Sequence, residues 1–207
     1  MGMVWTIALS VISIGIGTIL GILWGLLLST RKPNWLEVRW LGVALNDVVR
    51  ALPLLILLLL INYCAPPLFG LRSTFWIAVL ALAVNLAAFV GDVLRGAIAG
   101  VPQPLQDAGL AIGLSDTQVM RRIILPEAVR SVIPSIALLY IDILKMTSLA
   151  SIIALPELTY VGGQVSSVEF RPLEVFVLIA VMYAAIIIPM SHFQRWLERS
   201  PWFIRRG

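Results

Sequence analysis

MVWTIALSVISIGIGTILGILWGLLL, from Met3 to Leu28, runs for 26 residues without one charged side chain. A helix rising about 1.5 Å per residue over that length exceeds a hydrocarbon core of about 30 Å. The stretch is too long for a signal-peptide core, and no basic region precedes it. It is therefore predicted to stay in the membrane as a helix. The rest of the chain agrees: of 207 residues, 60% are hydrophobic and 13% charged, with a mean hydropathy of +0.98. A soluble globule carries about twice that share of charge.

Four further apolar runs follow, at Trp40–Tyr63, Phe75–Leu94, Ser131–Leu155 and Leu173–Trp196. The fold class expected is an all-α polytopic membrane protein with five transmembrane helices, formed as a single transmembrane domain over residues 1–207. Basic residues sort by side. Arg31, Lys32, Arg39, Arg95, Arg121, Arg122, Arg130, Arg195, Arg199, Arg205 and Arg206 fall in one set of connections, and only Arg72 and Arg171 in the other. Basic residues are retained in the cytoplasm, so the N-terminus is expected outside and the C-terminus inside. The net charge of +4 then reports topology, and no nucleic-acid partner is expected. Tryptophans 35, 40, 76, 196 and 202 suit interfacial anchoring.

One cysteine and one histidine rule out an intrachain disulfide and a cysteine- or histidine-based metal site, and no metal or cofactor is expected. Ser13, Gly17, Gly21 and Gly25 recur every fourth residue, as do Ala83, Ala87 and Gly91. Such stripes let helices pack closely within lipid; for the first helix a place in a pore lining is the alternative.

The longest polar interruption, residues 96–130, contains two short helical pieces. Pro102 and Pro104 open the first, with Leu105, Ala108 and Ile112 on one face; Gly113 turns the chain, and Ser115 or Asp116 caps the second. The first piece lacks the lysine-rich face of a lipid-surface helix, which favours a protein partner.

Here the sequence resembles the bacterial ABC import permeases. Asp107-Ala-Gly-Leu-Ala-Ile-Gly113, followed by Arg121-Arg-Ile-Ile-Leu-Pro126, resembles their EAA loop. Arg50-Ala-Leu-Pro53, Asn85 to Gly96, Lys145-Met-Thr-Ser-Leu149 and Pro156-Glu-Leu-Thr159 are similar to the polar amino-acid uptake branch, and the likeness runs from about Thr6 to Arg199. It implies the type I importer permease fold and a multi-pass place in the bacterial inner membrane. Implied partners are a second permease subunit, two cytosolic ATPase subunits, an external solute-binding protein and an amino-acid substrate. By position, Asp107, Ala108, Gly109 and Gly113 would form the helix and turn seated on the ATPase, with Arg121, Arg122 and Pro126 fixing the return to the next span. Asp107 stands where glutamate is usual and Gly109 where alanine is. The chain itself is expected to catalyse nothing, since it has no Walker A pattern.

Ionisable groups inside spans are functional candidates. Asp142 and Lys145 share a helix face, either as a structural pair or as a site for a zwitterionic substrate. Arg50 before Pro53 is either a gate or an anchor; Asn85 bonds across helices or faces the path; Thr147 and Ser148 can donate to substrate or to helix carbonyls. Compared with the resembling family, Ala137, Leu138, Leu139, Tyr140 and Met146 replace a more polar pattern. Either the cavity only passes substrate along, or a different partner permease supplies the missing contacts, which favours a heterodimer over a homodimer. A secondary transporter and a structural or assembly subunit are the competing classes; the first should show repeated broken helices, and the second should bind the ATPase without stimulating transport.

Overall fold

The computed structural model describes residues 1–29 and 36–200. The regular structure among them is helical: α1 (Gly2–Ser29), α2 (Leu36–Ala51), α3 (Leu54–Phe69), α4 (Thr74–Ala99), α5 (Gln103–Ala111), α6 (Asp116–Val119), a π-helical turn (Met120–Ile124), α7 (Leu125–Met146), a 3-10 stretch (Thr147–Ile153), α8 (Leu158–Glu169) and α9 (Pro172–Arg199). Four helical segments are long and apolar enough to cross a membrane: α1, α4, the continuous run Asp116–Ile153, and α9. A fifth exists only if the bent pair α2 and α3 is counted as one span. Trp40, Trp76 and Trp196 are exposed, as interfacial anchors require, while Arg31, Lys32, Trp35, Trp202, Arg205 and Arg206 lie outside the described residues.

The run expected at Trp40–Tyr63 is broken in its middle, where Arg39–Ala51 and Leu54–Phe69 meet at 106°. Pro53 is the cause. It has no N–H to continue the helix, and it pushes the residue before it away from helical geometry. Leu52 still donates to the Val48 carbonyl at 3.2 Å, closing α2, while the Pro53 carbonyl accepts from Ile56 and Leu57 at 2.9 and 3.1 Å, opening α3. The expected end before Ala65 is also too early. α3 runs through Pro66 and Pro67 to a cap at Gly70, whose φ of +67° lets its N–H reach the Pro66 carbonyl at 3.0 Å.

α4 is the axis of the bundle. Along one side it packs against α1, where the two small-residue stripes face each other. A methyl group built on Gly17 would lie 2.9 Å from the Ala83 carbonyl oxygen, one on Gly21 2.7 Å from Val90 Cβ, and one on Gly25 2.8 Å from the Gly91 oxygen. The backbones are therefore at closest approach, and the stripes serve packing. Thr18 and Tyr140 hydroxyls pair at 2.9 Å, tying α1 to α7.

The opposite end of α1 is pinned as well. Thr6 Oγ1 accepts the Leu158 N–H at 3.1 Å, and Gly2 rests on the backbone of Glu157 and Leu158. Glu157, in the connection after the third long helical segment, is fully buried. Its carboxylate caps α8, accepting from Tyr160 N–H at 2.7 Å, Thr159 N–H at 2.9 Å and the Tyr183 hydroxyl at 3.1 Å. Burial raises its pKa above the usual carboxylate value, and the hydrogen bonds oppose that rise.

Candidate functional site

Three polar constellations stand out from the apolar bundle. The first is the segment between α4 and α7. α5 begins at Pro102 and ends at a turn where Gly113 adopts φ +85°, a conformation that costs any other residue. Open space surrounds that glycine, so the turn needs glycine for its backbone angle. Ser115 then caps α6 in a reciprocal box: its backbone N–H donates to Gln118 Oε1 at 2.9 Å, and its hydroxyl accepts the Gln118 N–H at 3.4 Å.

The side chains of α5 divide cleanly. Gln106 and Gly109 face inward, while Leu105, Asp107, Ala108 and Ile112 are exposed. Gln106 donates to the Val101 carbonyl at 3.0 Å. Gly109 presses on the following helix, where a methyl group would come within 2.6 Å of Ile123 Cδ1 and 3.1 Å of Val119 Cγ2. Expected as part of a small face toward a partner, Gly109 belongs to the packing of α5 on its own chain. Ala108 remains outward.

Arg121, Arg122 and Pro126 lie within helix that runs from Asp116 to Ile153 and so lead from the short pieces straight into the span. Pro126 cannot donate to the carbonyl four residues back and would crowd it. The chain answers by widening one turn into a π-helix, in which Leu125 N–H reaches the Met120 carbonyl. Arg121 and Arg122 lie exposed on that turn.

The second constellation sits at the elbow. Arg50 reaches Asp92 on α4 at 2.7 Å and Asp47 at 3.9 Å, while Asp92 also holds Arg95 at 2.6 Å. The Arg50 guanidinium lies 5.3 Å over the Phe89 ring, within cation–π range. Nε of both arginines has no hydrogen-bond partner among the described residues, so the Asp92 carboxylate is where both charges are answered. Asp92 was not among the candidate residues. The sign was present in the sequence, an acid inside the third apolar run opposite a lone arginine in the second.

The third lies on α7. Asp142 and Lys145 pair at 3.3 Å with about half of each side chain exposed, on a face with Leu138, also exposed. Thr147 is fully buried and donates to the Leu144 carbonyl at 2.7 Å; Ser148 donates to the Lys145 carbonyl at 2.8 Å. Ser151 repeats the pattern to Ser148 at 2.7 Å. Three hydroxyls bonding three residues back accompany the tightening of α7 into its 3-10 extension. Asn85 is buried at 5% exposure. A cavity of about 580 Å³ between α1, α4, α7 and α9 is apolar, lined by residues such as Ile22, Leu94, Val129 and Phe193. It suits acyl chains better than an amino acid's charged ends.

A helical bundle with an outward-turned short helix between two spans is also what known proteins match. Residues 17–202 match the family model described as binding-protein-dependent transport system inner membrane component. The chain belongs to this family. It is thus a multi-pass inner-membrane permease component and not an enzyme. Among its relatives, the probable amino-acid ABC transporter permease protein PatM of Vibrio harveyi is 34% identical over 72% of this chain and 68% of its own. The glutamine transport system permease protein GlnP of Escherichia coli K12 is 31% identical over 94% of this chain and 88% of its own. A crystal structure of an amino acid ABC transporter with histidines superposes with a TM-score of 0.86 at 27% identity, covering 96% of this chain and 91% of that one. Family membership answers the competing readings of a secondary transporter and an assembly subunit.

Proposed function

We propose that this chain is the permease subunit of an ATP-driven ABC importer for polar or charged amino acids. The observation that carries the reading is the family match along nearly the whole chain, joined to relatives named for glutamine and other amino-acid transport. The eleven-to-two distribution of basic residues supports an outside N-terminus and a cytoplasmic C-terminus. That orientation puts α5, within the segment 96–130, in the cytoplasm.

Asp107, Ala108 and the turn at Gly113 form the exposed rim of that segment and would meet the ATPase. Gly109 holds α5 on its own chain, and Arg121, Arg122 and Pro126 carry the widened turn that joins it rigidly to α7. Two ATPase subunits closing on ATP would displace α5; ATP drives the cycle only by binding the two global states unequally. An external binding protein would deliver the substrate.

On the path side, Asp142 and Lys145 offer opposite charges, matching a zwitterion's two ends. Arg50 and Pro53 act at the elbow; Asn85 lies behind the path, and Thr147 and Ser148 shape its end through the tightened helix. The apolar Leu138 and Leu139 beside that pair favour a heterodimer, in which the second permease contributes the polar contacts this chain lacks.

The test is reconstitution with the cognate ATPase and binding protein, with uptake of arginine, histidine, glutamine and glutamate measured against leucine and phenylalanine. Selective accumulation of a polar member is expected. Uptake of the hydrophobic controls alone would overturn the substrate class.

A further inference from the structure

Asp92 ties together elements that the chain order keeps apart. Its Oδ2 meets Arg50 of α2 at 2.7 Å, and its Oδ1 meets Arg95, one turn further along α4, at 2.6 Å. Arg50 is the penultimate residue of α2, so this contact is made at the elbow itself. Asp47, the other acid near Arg50, stands 3.9 Å away with a side chain 60% exposed, a weak competitor. Phe89 lies one turn before Asp92 and places its ring under the same guanidinium. The elbow is thus gripped from α4 by one carboxylate and one aromatic face. Charge-assisted contacts of this kind are short and directional, and they hold best where water is scarce.

The same C-terminal end of α4, seven residues beyond Asp92, leads to α5. Ile98 and Val101 are buried with Val119, Ile124 and Ala128, and Gln106 of α5 bonds the Val101 carbonyl at 3.0 Å. A displacement of α5 is therefore passed to α4 through packed side chains and a hydrogen bond. From α4 it meets the elbow at Asp92.

We propose that Asp92 is a positioning residue that makes α4 and the α2–α3 elbow move as one body, so that motion of α5 is delivered to α3. This rests on the reading of α5 as the ATPase contact. Without the Asp92 grip, the packing of α3 on the moving helix would rest on apolar contacts such as Leu57 and Leu58 with Leu82 and Leu86, which can slide.

The experiment uses the assembled transporter in lipid nanodiscs, with Cys64→Ser removing the native thiol and spin labels on Val48 and Ala99, both exposed. The inter-label distance distribution is measured without nucleotide and with ATP bound. In the otherwise wild-type complex it is expected to be narrow and the same in both states. Asp92→Asn and Arg50→Gln are each expected to broaden it, and Asp92→Glu to restore it. In parallel, uptake per ATP hydrolysed should fall severalfold in Asp92→Asn and recover in Asp92→Glu. An Arg50→Gln/Asp92→Asn double variant should be no worse than either single one.

A wild-type distance that shifts on ATP binding beyond the width of its distribution would overturn the proposal, even if no variant assembles. So would an Asp92→Asn distribution that superimposes on the wild type. Failure of the transport reading looks different: no ATP-linked uptake in the wild type, whatever the distances do.

Discussion

Two of the contacts that α4 makes in the bundle are unlike. On the α1 side, glycines and alanines bring backbone against backbone, with no charge in the seam. On the elbow side, the Asp92 carboxylate and the Phe89 ring hold Arg50 at the end of α2, while Arg95 shares the same carboxylate from α4 itself. Dispersion contacts at closest approach are many, short-ranged and lost with small displacements. Ion pairs are few but directional, and they hold two helices in register at the points where they form. The first contact joins α1 to α4 through their backbones; the second joins the elbow to α4 through side chains. One helix is therefore bound to two neighbours by different physics.

The largest expected effect breaks the seam. Gly21→Leu drives a side chain into Val90 and the Ala87 carbonyl, and overpacking of that kind should cost about 3 kcal/mol or more. The detergent-solubilised protein should lose its monodisperse peak and melt well below the wild type. An unchanged melting temperature would mean that α1 is not docked as described.

Next comes the elbow. Proline inside a continuous helix costs about 3 kcal/mol, and Pro53→Ala removes that obstacle to α2 running straight into α3. The expected outcome is normal membrane insertion with sharply reduced ATP-linked uptake. Equal uptake would show that the bend is held by other contacts alone.

Gly113→Val sharpens the moving side. A left-handed angle costs an L-residue about 1–2 kcal/mol, and a β-branched one more, so the turn after α5 should reorganise. ATPase co-purification should fall while insertion stays intact; retention of both would remove the turn from the coupling surface.

Glu157 sharpens the fixed side, where α1, α8 and α9 meet. Its folded-state pKa is raised by burial, so the folded protein binds this proton more readily than the unfolded chain does. Stability from this group is then greatest at low pH and is lost as pH rises from the ordinary carboxylate value of 4.5 through the raised one. Measured by thermal unfolding, the wild type should gain relative to Glu157→Gln as pH falls from 7 toward 5. A gain in the opposite direction would mean that the carboxylate is stabilised as an anion.

The smallest effect is at Gly109→Ala. Alanine gains about 1 kcal/mol in helix propensity, while its methyl must displace Ile123 Cδ1 at 2.6 Å, the movable end of a side chain. The two nearly cancel, and a melting shift of a degree or two is expected. A large loss would show that α5 is packed more rigidly than one flexible contact implies.

Much of this arrangement was legible in the chain because its signals are local. Apolar runs gave the spans, and four-residue spacing marked both faces of the α1–α4 seam. Pro102, Gly113 and Ser115 bounded the short helices by their backbone preferences. What the sequence hid was pairing at a distance. Arg50 and Asp92 lie on separate helices, and nothing in the order of residues says that an elbow brings them together. Glu157 was hidden for a related reason: its burial depends on α1 and α9 closing over it. The inward packing of Gly109 could not be read either, because only the structure supplies Val119 and Ile123. Pro126 left no local sign of the π-helical turn that precedes it.

The central claim is that this bundle moves substrate only when partner subunits bind and hydrolyse ATP. Proteoliposomes holding the complete complex, loaded inside with ATP and supplied outside with binding protein and radiolabelled amino acid, test it directly. Accumulation above the external concentration is expected with ATP and none with a non-hydrolysable analogue. Equal accumulation in the absence of nucleotide would contradict the account.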